Sequence, residues 1–163
     1  MATTHKLILG AALGLGARAL MNRLVLEKLR GDVRKLNAGD YSGLLSGYSD
    51  DAVLHFTDGE HRWAGDHVGK DGIEHFLKDF TRAGLQGEIV EILTSGPPWS
   101  MTLAARFNDR ALGPDGEKIY ENKTVVFVKT RWGKIVDHSD FYEDTEKIPA
   151  FDRKLTELGI EPV

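Results

Sequence analysis

The residues of this chain best suited to acid–base chemistry fall in two short stretches, Arg106-Phe107-Asn108 and His138-Ser139-Asp140. In an extended strand, positions two apart share a face. Arg106 and Asn108 then lie with Thr102 and Ala104, and Asp140 lies with Val136, His138 and Tyr142. If those two faces meet in one cavity, an arginine beside Asp140 keeps the carboxylate ionised and oriented. Such a carboxylate can deprotonate a water or a substrate carbon within hydrogen-bond reach. Asn108 can donate only a neutral hydrogen bond and so cannot serve as an acid. Histidine titrates near neutrality, which makes His138 the natural proton donor on that face. The plain alternative is a solvated ion pair and a histidine satisfied by its neighbours. His55, Trp63, Tyr48, Asn122 and Tyr142 are candidate substrate-binding residues, with ordinary core or rim packing as the alternative for each.

Other chemistries find less support. The chain has no cysteine, which removes thiolate nucleophiles and cysteine-held metals. His61, His67 and His75 lack the spacing of a ligand set, so no metal is expected. Gly10, Gly14 and Gly16 precede a helix rather than follow a strand, so they are not a nucleotide-binding loop, and no cofactor is expected. The net charge of −4 hides an asymmetry: residues 1–37 carry seven Lys/Arg against two acids, and the remainder is acidic. An acidic body lacks the basic footprint of a nucleic-acid binder, so nucleic acid is not an expected partner.

The elements that must position these residues follow from periodicity. With 163 residues, 41% apolar and 28% charged, the chain suits a single packed domain. Residues 7–17 are apolar but far short of the ~20 residues of a spanning helix. Behind Lys6, and followed by Ala17-Arg18-Ala19, this run has the outline of a weak secretory signal at 7–19. A cytoplasmic protein with a retained, helical, apolar and basic extension over 1–25 is the favoured reading, and membrane association the less favoured one. Leu20, Leu24, Leu26, Leu29, Val33 and Leu36 recur at helical spacing, and Gly39 and Asp40 suit a helix end and a second, short helix through Tyr48. A hairpin of 52–57 with 61–64, a helix over about 70–83, strands at 88–95, 99–108, 119–130 and 134–142, and a short helix over 150–158 complete the order. Short connections between the last four strands require antiparallel neighbours. The expectation is an α+β fold with helices in the concavity of a curved sheet, enclosing a pocket.

Leu36-Asn37-Ala38-Gly39-Asp40-Tyr41 followed by Tyr48-Ser49-Asp50-Asp51-Ala52-Val53 resembles the opening of the nuclear transport factor two-like superfamily, which includes ketosteroid isomerases and SnoaL-like proteins. Gly69-Lys70-Asp71-Gly72-Ile73 and Gly133-Lys134-Ile135-Val136 with Asp140-Phe141-Tyr142 resemble its later landmarks. The resemblance implies, over residues 26–163, a cone-shaped barrel of mainly antiparallel sheet wrapped on N-terminal helices, with a central cavity for a small apolar organic ligand and a homodimeric assembly. The place of the ketosteroid-isomerase base is taken by Phe56, and that of its tyrosine falls near Asp32. Paired cavity histidines of the scytalone-dehydratase kind would be His55 and His138, without a matching motif. Limonene-epoxide-hydrolase-like enzymes are matched in part: Arg106, Asn108 in place of an aspartate, and Asp140 fall on their catalytic positions, whereas their water-holding tyrosine and asparagine fall near Leu54 and Phe56.

The reading is a hydrolase or isomerase acting on a terpenoid-, steroid- or polyketide-like compound, with Asp140 as base, Arg106 orienting it, Asn108 donating a hydrogen bond and His138 as acid. Its rival is a ligand-binding or accessory domain without catalysis, tethered to a membrane through the N-terminal segment if that segment does not pack.

Overall fold

The computed structural model describes residues 20–163 other than residue 22; the apolar run at 7–17, the signal-like stretch at 7–19 and Gly10, Gly14 and Gly16 lie outside the described residues. Helix α1 covers 23–37 and buries the apolar stripe read from the sequence along its C-terminal half, Val33 most deeply. Gly39 takes φ +86°, and the Asp40 N–H returns to the Lys35 carbonyl at 2.9 Å, which closes the helix end. Asp40 Oδ1 then accepts the Ser42 N–H at 3.0 Å and starts α2, Ser42–Gly47.

The strands are β1 Tyr48–Phe56, β2 Gly65–Val68, β3 Leu85–Ser95, β4 Thr102–Leu112, β5 Lys118–Arg131 and β6 Lys134–Tyr142, with α3 at Gly69–Arg82 and α4 at Lys147–Glu157. They form one sheet in the order β2-β1-β6-β5-β4-β3. All neighbours are antiparallel except β1 and β6, which run parallel. The sheet is curved and unclosed, with β2 and β3 as its edges. The α+β architecture is therefore the expected one.

Several boundaries differ from the expectation: β1 starts at Tyr48 rather than 52, β4 lies at Thr102–Leu112 rather than 99–108, and α4 starts at Lys147 rather than 150. The short second helix stops at Gly47, because Tyr48 already belongs to β1 and is fully buried. The return strand of the first hairpin lies at Gly65–Val68 rather than 61–64, since His61 to Trp63 form a turn that drives Trp63 into the core. Strand β3 begins at Leu85, ahead of Glu88, and the added residues include Gly87. Between β5 and β6, Trp132 and Gly133 both have positive φ, the backbone of a two-residue hairpin turn whose twist matches the strands.

Two apolar clusters form the core. The larger joins α3 (Ile73, Phe76, Leu77) and α4 (Ile148, Phe151, Leu155) to β1, Trp63 and Tyr120. Rings stack here, Tyr120 on Phe151 with centroids at 4.4 Å and Trp63 on Phe151 at 5.7 Å. Arg62 clamps this end: its Nε donates to Asp152 at 2.5 Å and its Nη2 to the Ile160 carbonyl at 2.9 Å. The smaller cluster is Leu103, Ala105 and Val128, with Leu29 of α1 packed on it. Among the described residues no helix is long and apolar enough to cross a membrane.

Candidate functional site

Between the two clusters lies a cavity of about 110 Å³, walled by α1, α3 and the concave face of the sheet. Its lining is apolar except for a few converging groups. On β6, His138 and Asp140 project inward with Tyr142, two residues apart as the strand pleat requires. Tyr48, the first residue of β1, reaches them from the neighbouring strand. Its hydroxyl donates to His138 Nδ1, and His138 Nε2 donates to Asp140 Oδ1 at 2.8 Å. Burial and the nearby Asp140 charge hold the Tyr48 hydroxyl well above its ordinary pKa, so it remains a donor. The chain Tyr48–His138–Asp140 thus fixes the imidazole by both nitrogens and orients the carboxylate, whose side chain is 8% exposed.

A second carboxyl group enters from β4. Asp109 is buried and accepts the Thr124 hydroxyl of β5. Burial, reinforced by the charge on Asp140, raises its pKa from 3.8 to about 7, against the lowering effect of the Thr124 hydrogen bond. Near neutral pH Asp109 is therefore populated in both its protonated and ionised forms. The side chain fits because residue 87 on β3 is glycine: a Cβ there would stand 3.3 Å from Asp109 Oδ1 and 3.1 Å from the Phe107 ring. Gly87 is held in turn by Asn37 at the end of α1, whose amide donates to the Gly87 carbonyl and accepts the Gly87 N–H, both at 2.9 Å.

The residues named from the sequence divide. Tyr48, His138, Asp140 and Tyr142 line the cavity. Arg106 and Asn108 do not. Strand β4 buries Leu103, Ala105 and Asp109 and exposes Arg106 and Asn108, so these two lie on the convex face. Arg106 is paired across strands with Glu91 and Val125, while Asp140 is paired with Val126, one residue out of phase. The expected contact between Arg106 and Asp140 therefore does not form, and neither Arg106 nor Asn108 can reach a ligand in the cavity. The apolar phase of β4, Leu103-Ala105-Phe107, had to face inward to be buried. Asp109 is the next residue on that phase, and this was the signal in the sequence that pointed to it.

His55 also lies on the convex side, where its Nδ1 meets Asp66 Oδ1 at 2.7 Å. Trp63 is core, not cavity, stacked on Phe151. Asn122 is buried on the concave side, but its amide is spent on the Asp144 carbonyl at 2.7 Å and the Tyr120 hydroxyl at 3.2 Å. His67 is bonded to the Trp63 carbonyl at 3.0 Å, and His75 stands 3.8 Å from Asp79. Among the described residues no group of three His, Asp or Glu side chains is placed to hold a metal ion.

Comparison with known proteins places this geometry. Solved structures of similar fold include Bal32a from a soil-derived mobile gene cassette, at 20% identity and a TM-score of 0.63, covering 78% of this chain and 95% of that one. TerC, co-crystallized with polyporic acid, is similar at 19% identity and a TM-score of 0.65, over 78% of this chain and 97% of that one. An NTF2-like protein of unknown function from Burkholderia pseudomallei is similar at 18% identity and 0.63, over 78% and 95%. No curated protein matches the chain. The profile of the SnoaL-like domain matches residues 32–138, from the second half of α1 to His138 on the last strand, and the chain belongs to this family.

Proposed function

We propose that the cavity binds a small, mostly apolar organic molecule and catalyses a general acid–base reaction on it, of isomerase or hydrolase type. The observation that carries the reading is the buried Tyr48–His138–Asp140 chain facing, with Asp109, an otherwise apolar space. Asp140, oriented by His138, takes a proton from a ligand carbon next to a carbonyl or from a water. Asp109, in its protonated form, donates a hydrogen bond or a proton to the ligand oxygen that gains charge. A carboxyl group that burial keeps partly protonated near neutral pH, beside a second carboxyl oriented by a histidine, is an arrangement such a reaction can use. The co-crystallization of TerC with polyporic acid supports a small organic ligand in a fold of this kind. A binding domain without turnover is the second reading, favoured by the small volume of the cavity, about 110 Å³.

The test is proton exchange in D2O, followed by NMR, on a panel of small cyclic ketones and epoxides. The acid–base reading expects deuterium incorporation or ring opening above buffer that is lost in Asp140→Asn. Ligand-dependent shifts of the His138 ring signals without either reaction would instead establish the binding domain.

We also propose that two copies pair through the convex face of the sheet. There the row Glu91–Arg106–Val125–Phe141 lies beside Leu93 and Phe127, and Leu93 and Phe141 are 63% and 60% exposed. A twofold copy sets Glu91 against Arg106 while covering the apolar centre. Sedimentation equilibrium checks this: Phe141→Lys is expected to shift the species to the monomer, and an unchanged mass would reject the interface.

A further inference from the structure

The cavity does not end the space available to a ligand. An open groove of about 1210 Å³ runs outside it, between α1, the ends of β3, β4 and β5, and the start of α4. The groove and the cavity share Val33, Asn37, Gly87 and Asp109 in their walls, so the two spaces adjoin at these residues. Sizes set the division of labour. A space of about 110 Å³ is somewhat smaller than an engineered apolar cavity that holds benzene, so it takes at most a single small ring. A larger ligand must leave its remainder in the groove.

The chemistry of the groove differs from that of the cavity. Arg30 and Arg34 line it, one turn apart on α1, and Lys147 faces them from α4. None of the three has a carboxylate partner within 4.0 Å among the described residues, whereas Lys118 and Lys123 of the same groove are paired with Glu121 and Glu143. Two acids, Glu88 and Asp144, also line it without a cationic partner, and one Asp144 oxygen is occupied by the Glu146 N–H. The α1 side of the groove is thus purely cationic next to the cavity mouth. Guanidinium groups there can take up a carboxylate in paired hydrogen bonds without first breaking an ion pair.

We propose that the ligand of this protein is an amphipathic organic carboxylate, with a single-ring apolar head in the cavity beside Asp109 and His138 and its carboxylate in the groove against Arg30 and Arg34. This deepens the acid–base reading and rests on the cavity as its ligand site. The ring supplies the reacting atoms, and the anionic end supplies orientation and selectivity. Compounds with the same ring and a neutral end are expected to enter but to be held less well.

The experiment compares phenylbutyrate with phenylbutyramide, which has the same shape and no charge, by isothermal titration calorimetry on the full chain, with the His138 ring NMR signals reporting the head. Phenylbutyrate is expected to bind about tenfold more tightly than the amide, the gain of one charge-assisted contact. Both compounds are expected to move the His138 signals. The double variant Arg30→Gln, Arg34→Gln is expected to remove the difference while leaving the amide affinity unchanged. Equal affinities in the unaltered protein, or a preference that survives in the double variant, would overturn the carboxylate assignment and leave the cavity reading intact. If neither compound moves the His138 signals at about 1 mM, the cavity as the ligand site fails as well.

Discussion

Asp109 and Asp140 belong to the same cavity, yet their neighbours differ in kind. Asp109 receives one neutral hydroxyl, from Thr124, and burial raises its pKa to about 7. Asp140 receives the His138 ring, itself held by Tyr48. A hydroxyl offers a dipole, whereas an imidazole backed by a phenol offers a donor with its own proton supply and a fixed orientation. Asp109, whose pKa burial raises to about 7, suits the acid, and Asp140, oriented by His138, suits the base; the Asp140 charge is among the causes that raise Asp109.

The largest effect is expected at Asp140. Asp140→Asn is expected to lower the D2O exchange rate by about 10³-fold. Its melting temperature should be unchanged or raised, since functional carboxylates are held at some cost to stability. A marked drop in melting temperature with exchange intact would make Asp140 a scaffold residue and erase the contrast.

Asp109 sharpens the comparison through pH. Its carboxyl titrates at about 7 in the fold against 3.8 when unburied, so between these values the folded protein holds a proton that the unfolded chain has released. Stability accordingly falls as pH rises through that window and levels off above it, with a total on the order of 4 kcal/mol. Asp109→Asn, which can still bond Thr124, is expected to flatten the dependence of unfolding free energy on pH between about 4 and 7. A slope the variant does not change would place the titration elsewhere.

Tyr48→Phe removes the donor behind His138. It leaves one buried ring nitrogen unsatisfied and is expected to cost about 1–3 kcal/mol in urea unfolding. It should also lower exchange by about tenfold, as orientation of the base is lost. If exchange is unaffected, the chain orients nothing and Asp140 acts alone. The smallest effect is expected on the convex face. Asn108→Asp, which would restore an acid if that side chain reached the cavity, should change neither exchange nor epoxide opening, with stability within about 0.5 kcal/mol. A gain of activity would contradict the inward face of β4 described above.

Much of the fold was legible because the periodicities are local. The stripe of α1, the α3 pattern of Ile73, Phe76 and Leu77, and the limits of β6 at Lys134–Tyr142 agree with what spacing alone predicts. The parallel pairing of β1 with β6 was not, because those strands are separated by most of the chain and their register depends on which edges meet. The candidate site was half legible. Alternation places His138, Asp140 and Tyr142 on one face of β6, and they line the cavity; Tyr48, expected at the end of a short helix, joins them as the first residue of β1. Arg106 and Asn108 were expected to face the cavity from strand alternation and from a resemblance to another enzyme's motif, whereas the burial of Leu103 and Ala105 puts them outside.

What the sequence by itself determined is the set of elements, their order and the two faces of each strand, because these follow from backbone geometry and from the apolar residues that must leave water. Which groups converge was decided only by the tertiary structure. Tyr48 and His138 are 90 residues apart and meet because β1 lies beside β6. Asp109 has its raised affinity for the proton only where the sheet curves around it, Thr124 supplies its one hydroxyl and Gly87 leaves room for its oxygen. A carboxyl group's proton affinity is a property of its surroundings, and those surroundings come from four strands and two helices that no local pattern brings together.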